Sequence, residues 1–139
     1  MKLHVERGAA GSAVRVRTRS SLLAPRILRV TPTSARVALV ATTALLLAGD
    51  EAELDIVVGD GVALEIVEVA ATVAYAGRGG ACSWSANLSV AEGASLRWPG
   101  EPFVVATDAR ATRTTRADIA DGGSLMLRDT LVLGRHGEA

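Results

Sequence analysis

Val58-Gly59-Asp60-Gly61-Val62-Ala63-Leu64-Glu65-Ile66 returns twice along the chain, as Val90-Ala91-Glu92-Gly93-Ala94-Ser95-Leu96-Arg97-Trp98 and as Ile119-Ala120-Asp121-Gly122-Gly123-Ser124-Leu125-Met126-Leu127. Each copy reads β-branched, small, acidic, Gly, two small residues, Leu, any residue, large apolar. The glycines at 61, 93 and 122 lie 32 and 29 residues apart by subtraction, a period of supersecondary size. An acidic residue followed by Gly between alternating apolar runs is a hairpin signal, because Gly accepts the positive φ that a tight turn demands. The repeat therefore predicts equivalent hairpins. It implies an all-β chain with little helix, built as a superhelical or sandwich-like stack of those hairpins.

Outward from the repeat, the pattern is the same. Val14 to Arg19 alternates apolar and charged residues, and Leu22-Leu23-Ala24-Pro25 begins a second extended stretch that Pro32 breaks. The longest apolar run, Val37 to Ala48, is too short to span a bilayer and predicts a buried strand. Leu54, Ile56 and Val58 alternate with Asp55 and Val57, and Gly77 to Gly80 and Pro99-Gly100 read as loops. Arg110, Arg113 and Arg116 have the spacing of a helix face. The threonines at 112, 114 and 115 instead predict a strand over Ala109 to Ala120. No linker divides the chain, so residues 1–139 read as a single β domain.

Composition narrows the function classes. Hydrophobic residues make up 49% of 139 residues, yet only Tyr75, Trp84, Trp98 and Phe103 are aromatic, so the core must be aliphatic. The lone Cys82 cannot form an internal disulfide, and no signal peptide is evident, which points to the cytoplasm. A net charge of zero hides segregation: Met1 to Arg36 carries Lys2 and seven Arg against Glu6, or +7, while Val37 to Ala109 carries ten acids against Arg78 and Arg97, or −8. No aromatic residue interleaves the basic segment, so nucleic-acid bases have no stacking platform there.

Chemistry-bearing motifs are sparse. His4, His136 and Cys82 lie far apart without metal-ligand spacing, and no Gly-x-Ser-x-Gly elbow is present. Gly77-Arg78-Gly79-Gly80 could cradle a phosphate, but it lacks the Lys of a P-loop and reads better as a hairpin tip. Glu51, Glu53 and Asp55 would share one face of a strand, with Asp50 on the other. They could hold a divalent ion weakly, or simply keep an edge solvated.

Five phrases, in order, resemble the urease accessory protein UreD family (also called UreH). They are Leu22-Leu23-Ala24-Pro25, Gly49-Asp50-Glu51-Ala52-Glu53-Leu54-Asp55-Ile56, Val69-Ala70-Ala71-Thr72-Val73-Ala74-Tyr75, Leu96-Arg97-Trp98-Pro99-Gly100-Glu101-Pro102 and Gly134-Arg135-His136-Gly137-Glu138. The chain departs from the family at Thr42 to Leu47, where a Gly-rich loop is usual. It departs again at Glu68, Val69 and Val73, where many members have Thr-Gln and Lys. The family also continues past Gly-Arg…Gly-Glu, so this sequence reads as an N-terminal portion. Unpaired edge strands and a homodimer would follow.

The resemblance implies a nonenzymatic chaperone that docks on the urease apoprotein, recruits UreF and UreG, and helps nickel reach the active site. It implies no tightly bound cofactor, only transient nickel. A conduit for such an ion should bind weakly at several points. Asp50 and Glu138 sit in the two most family-like phrases and are the candidate carboxylates of such a path. Arg135 is the candidate partner-docking residue. Neither nucleic acid nor membrane is expected as a partner. A free-standing interaction or ligand-binding module is the rival reading, with Tyr75, Trp84 and Trp98 then forming one exposed cluster. An enzyme using Asp50 or Glu138 as a base is the weakest reading.

Overall fold

A computed structural model describes residues 1–134 and 137. The described residues form thirteen strands and no helix: β1 Lys2–Glu6, β2 Arg15–Arg19, β3 Leu23–Val30, β4 Ser34–Ala41, β5 Glu51–Val58, β6 Ala63–Glu68, β7 Thr72–Ala74, β8 Ala81–Val90, β9 Ser95–Pro99, β10 Phe103–Val105, β11 Arg110–Ile119, β12 Ser124–Arg128 and β13 Leu131–Leu133. They assemble into three sheets, ordered β11-β8-β5-β1-β2, β12-β9-β6-β4-β3 and β13-β10-β7. From β5 onward every neighbour is parallel, so the chain winds through the three sheets in turn. The result is a parallel β-solenoid of three coils: β5-β6-β7, β8-β9-β10 and β11-β12-β13. The antiparallel pairs β1–β2 and β3–β4 add the first strands of the two large sheets.

The expected all-β superhelical stack is what forms, and its pitch is the sequence period. Glu51 lies beside Ser83 and Ala81 beside Arg110, offsets of 32 and 29 residues. The repeated turns, however, are coil corners and not hairpins, because each joins strands of two different sheets. The reason lies in one dihedral. Gly61, Gly93 and Gly122 take φ of 60°, 60° and 68°, but Asp60, Glu92 and Asp121 before them are not in the positive-φ region. A primed hairpin turn of the Asp-Gly kind needs both central residues there, whereas an unprimed turn with Gly third swings the chain onward. Corners also stack: the Gly61 amide donates to the Glu92 carbonyl at 2.9 Å, and the Gly93 amide donates to Asp121 at 3.3 Å.

Alternation then fills the interior. Val5, Val58 and Val90 stack in register and are nearly fully buried, as do Leu3, Ile56 and Leu88. Each such side chain contributes about 1.5–3 kcal/mol relative to an exposed one. Ala52, Trp84 and Arg113 form another column, the small residue leaving room for the indole above it. The strand expected over the Arg-Thr segment is β11. The buried strand expected over Val37 to Ala48 ends at Ala41, and the remainder forms a loop that buries Leu45 and Leu46. Nor is β5 an edge: Glu51, Glu53 and Asp55 lie on its solvent face, between β8 and β1.

Candidate functional site

Of the three residues singled out by sequence, Asp50 is placed and Arg135 and Glu138 lie outside the described residues. Asp50 closes the loop into β5. Its Oδ2 accepts the Leu47 amide at 2.7 Å and its own amide donates to the Leu47 carbonyl at 3.0 Å. Gly49 before it takes φ 92°, which this corner requires. Among the described residues no three His, Cys, Asp or Glu side chains converge as a metal site. The Gly77–Gly80 tip links β7 to β8 between sheets, with the Gly80 amide donating within the turn to Gly77 at 2.6 Å.

The carboxylate that does enter the interior is Glu68, at the end of β6. Leu64 and Ile66 point inward from β6, and Glu68 continues that row. Its Oε1 accepts the Trp98 indole N–H at 2.9 Å, and its Oε2 accepts the Glu101 amide at 2.8 Å. Burial pushes its pKa above the ordinary glutamate value, against those two hydrogen bonds and the Arg113 charge, which pull it down. Glu68 also lines a cavity of about 280 Å³ with Leu23, Leu39, Leu45, Thr72 and Trp84. An acidic residue at an inward position of an alternating run was the signal in the sequence.

Beside it, Arg113 projects inward from β11. Its guanidinium lies 5.0 Å from the Trp84 ring centre and 4.7 Å from that of Phe103, and its Nε meets Asp129 at 3.1 Å. Cation and ring quadrupole attract here, in a position where the side chain is only 18% exposed. The Trp84 indole N–H is buried and has no hydrogen-bond partner among the described residues. Trp84 and Trp98 are each 2% exposed, so no exposed cluster of Tyr75, Trp84 and Trp98 exists.

Charged and hydroxyl side chains dominate the outer positions of the central strands. On the large sheet through β5, acids (Glu51, Glu53, Asp55) run beside hydroxyls (Ser83, Ser85, Ser89), and Asn87 donates to Asp55 at 3.2 Å. On the opposite large sheet, Glu65 bridges Arg36 at 3.1 Å and Arg97 at 2.7 Å. No helix of the described residues is long and apolar enough to cross a membrane.

A parallel β-solenoid of three coils, with a largely aliphatic core and the partly buried Glu68 carboxylate beside it, is the class of protein this fold defines. The chain belongs to the UreD urease accessory protein family, whose profile matches residues 1–139. Among curated relatives, urease accessory protein UreD 1 of Streptomyces griseus is 46% identical over 135 residues, covering 96% of this chain and 53% of the relative. UreD of Frankia casuarinae is 41% identical over 123 residues (88% and 39%), and UreD of Streptomyces avermitilis 34% over 132 residues (94% and 52%). The chain thus spans about half the length, or less, of these relatives. Membership ties it to urease maturation.

Proposed function

We propose that this chain is a noncatalytic docking scaffold of urease maturation, acting in the cytoplasm. It would engage the urease apoprotein together with UreF and UreG and assist the insertion of nickel. The observation that carries this reading is family membership along the whole of residues 1–139. Physical chemistry supports it. Paired parallel strands hold the faces rigid, so a partner meets a preorganised surface and little ordering entropy is lost on docking. Nickel is cargo in this reading, and a group that must let its ion go should hold it weakly. Asp50 and Glu138 are proposed carboxylates along the route, with Arg135 a docking residue.

Co-expression of the tagged chain with urease apoprotein, with and without UreF, tests the scaffold. Retention of urease is expected, and a folded chain that retains neither urease nor UreF would overturn it. Asp50→Asn tests the metal role separately, because an amide oxygen can still accept the Leu47 amide while the charge is gone. Docking preserved with urease activation reduced several-fold is the expected result. Unchanged activation would leave Asp50 as a turn residue only.

A further inference from the structure

The net charge of zero is spread unevenly over the surface. Arg26, Arg29, Arg36, Arg97 and Arg128 point outward from the β12-β9-β6-β4-β3 sheet, and Glu65 is the single acid among its outward strand residues. The outer face of the other large sheet mixes both signs: Arg15 and Arg17 are tied there to Glu6, and Lys2 approaches Asp55 at 3.9 Å. On the basic face, Arg29 and Arg36 stand directly opposite each other on β3 and β4. Such a like-charge pair opposes folding unless something neutralises it. Glu65 neutralises Arg36 and Arg97, whereas the side chains of Arg26 and Arg29 make no hydrogen bond or ion pair with a described residue. Arg29, Arg36, Glu65 and Arg97 line an open concavity of about 520 Å³ together with the hydroxyl residues Thr31 and Ser34.

We propose that this concavity docks a carboxylate-bearing surface of a protein partner, an inference that rests on the scaffold reading above and assigns it a face. Glu65 holds two guanidinium groups, one by each oxygen, at 3.1 Å and 2.7 Å. They are thereby oriented before a partner arrives, and their remaining N–H donors match the fork of a carboxylate. Adjacent strands lie about 4.8 Å apart, so one carboxylate reaches both Arg29 and Arg36 and relieves their repulsion. A purely protective role explains less. Arginine on an edge strand blocks strand addition, which would account for Arg26 and Arg29 on β3. That edge is already blunted by Pro25 and by the bulge between Ile27 and Arg29. Arg36 and Arg97 need another reason, because β4 and β9 are paired on both sides. Nucleic acid fits less well, since no aromatic side chain projects outward from these strands to stack on a base. Charge complementarity therefore selects an acidic protein surface.

The co-expression pull-down, repeated with variants, tests the face. Arg29→Glu/Arg36→Glu should weaken retention of urease apoprotein or UreF by about tenfold or more. Arg110→Glu/Arg116→Glu makes the same charge change on the outer face of the other large sheet and should leave retention nearly unchanged. Arg29→Glu alone removes no side-chain contact among the described residues and should weaken retention several-fold, which separates docking from any folding defect that Arg36→Glu brings beside Glu65. Wild-type retention should also fall as salt is raised from about 50 to 500 mM, because exposed charge pairs are screened. Full retention by both Arg29 variants overturns the proposal and leaves the scaffold reading standing. Equal loss in the Arg110/Arg116 control would mean that net charge alone is read, and the face would be wrong. A folded wild-type chain that retains neither protein overturns the scaffold reading and this assignment with it. Wild-type binding to duplex DNA that the double variant abolishes would assign the face to nucleic acid instead. Capture of the separately expressed second half of the Streptomyces griseus relative, lost in the same variants, would make the face an internal contact and overturn the proposal too.

Discussion

Gly93→Val should destabilise the fold by about 2 kcal/mol, and Gly93→Asn by only a few tenths. The magnitude comes from two structural facts. Gly93 takes φ 60°, and a Cβ built there meets nothing within 4 Å. The Cβ itself therefore meets no neighbour, and the backbone preference is the main quantity measured. A side chain in the left-handed region costs about 1–2 kcal/mol, more when β-branched, while Asn tolerates it. Losing glycine's extra freedom in the unfolded chain offsets about 0.4–1 kcal/mol of this for either variant. For a chain of this size, 1 kcal/mol is roughly 2–4 °C in Tm, so thermal unfolding should separate the two variants by about 4–8 °C. Gly123 is the contrast, because its Cβ would lie 2.9 Å from the Ala120 carbonyl oxygen and 3.0 Å from that of Ala91. There even alanine should be costly. Equal melting of Gly93→Val and Gly93→Asn would refute the account of the corner.

Three further outcomes are expected. Glu68 has a raised folded-state pKa, so the folded chain holds this proton to higher pH than the unfolded chain; its share of stability falls as pH rises above the ordinary glutamate value and returns on acidification. Urea titrations of the wild type minus Glu68→Gln should therefore show a difference that shrinks from pH 4.5 to 7 on the stated ordinary value, and a flat difference would contradict the burial. Arg113→Ala should cost about 1–2 kcal/mol through lost ring contacts, with Arg113→Met recovering part by packing, read from chemical denaturation. Leu54→Ala, at a fully buried position, should cost about 2–5 kcal/mol and lower Tm accordingly; a loss below 1 kcal/mol would mean the coil interior collapses around the gap.

The candidate site was only partly legible in the sequence. Asp50 stood out because Gly49-Asp50 is a local turn phrase, and the turn bond it makes is local too. Glu68 went unread as an interior group because its burial depends on Trp98 and Glu101, about thirty residues downstream. Its own neighbourhood shows only an acid ending an alternating run.

What the sequence determined by itself were the features set within a few residues. These were alternation along each strand, the strand over the Arg-Thr segment, glycine at each corner, and the 32- and 29-residue period. Local sterics and the two-residue pleat suffice for those. Tertiary structure decided that each turn leads into a different sheet, because the acid before each glycine stays out of the positive-φ region and pairing runs in parallel between coils. It also decided that Arg113 sits over Trp84 and Phe103 and that Glu65 bridges Arg36 and Arg97. Those contacts exist only once residues 29–32 apart are stacked in register, and no local preference encodes that register.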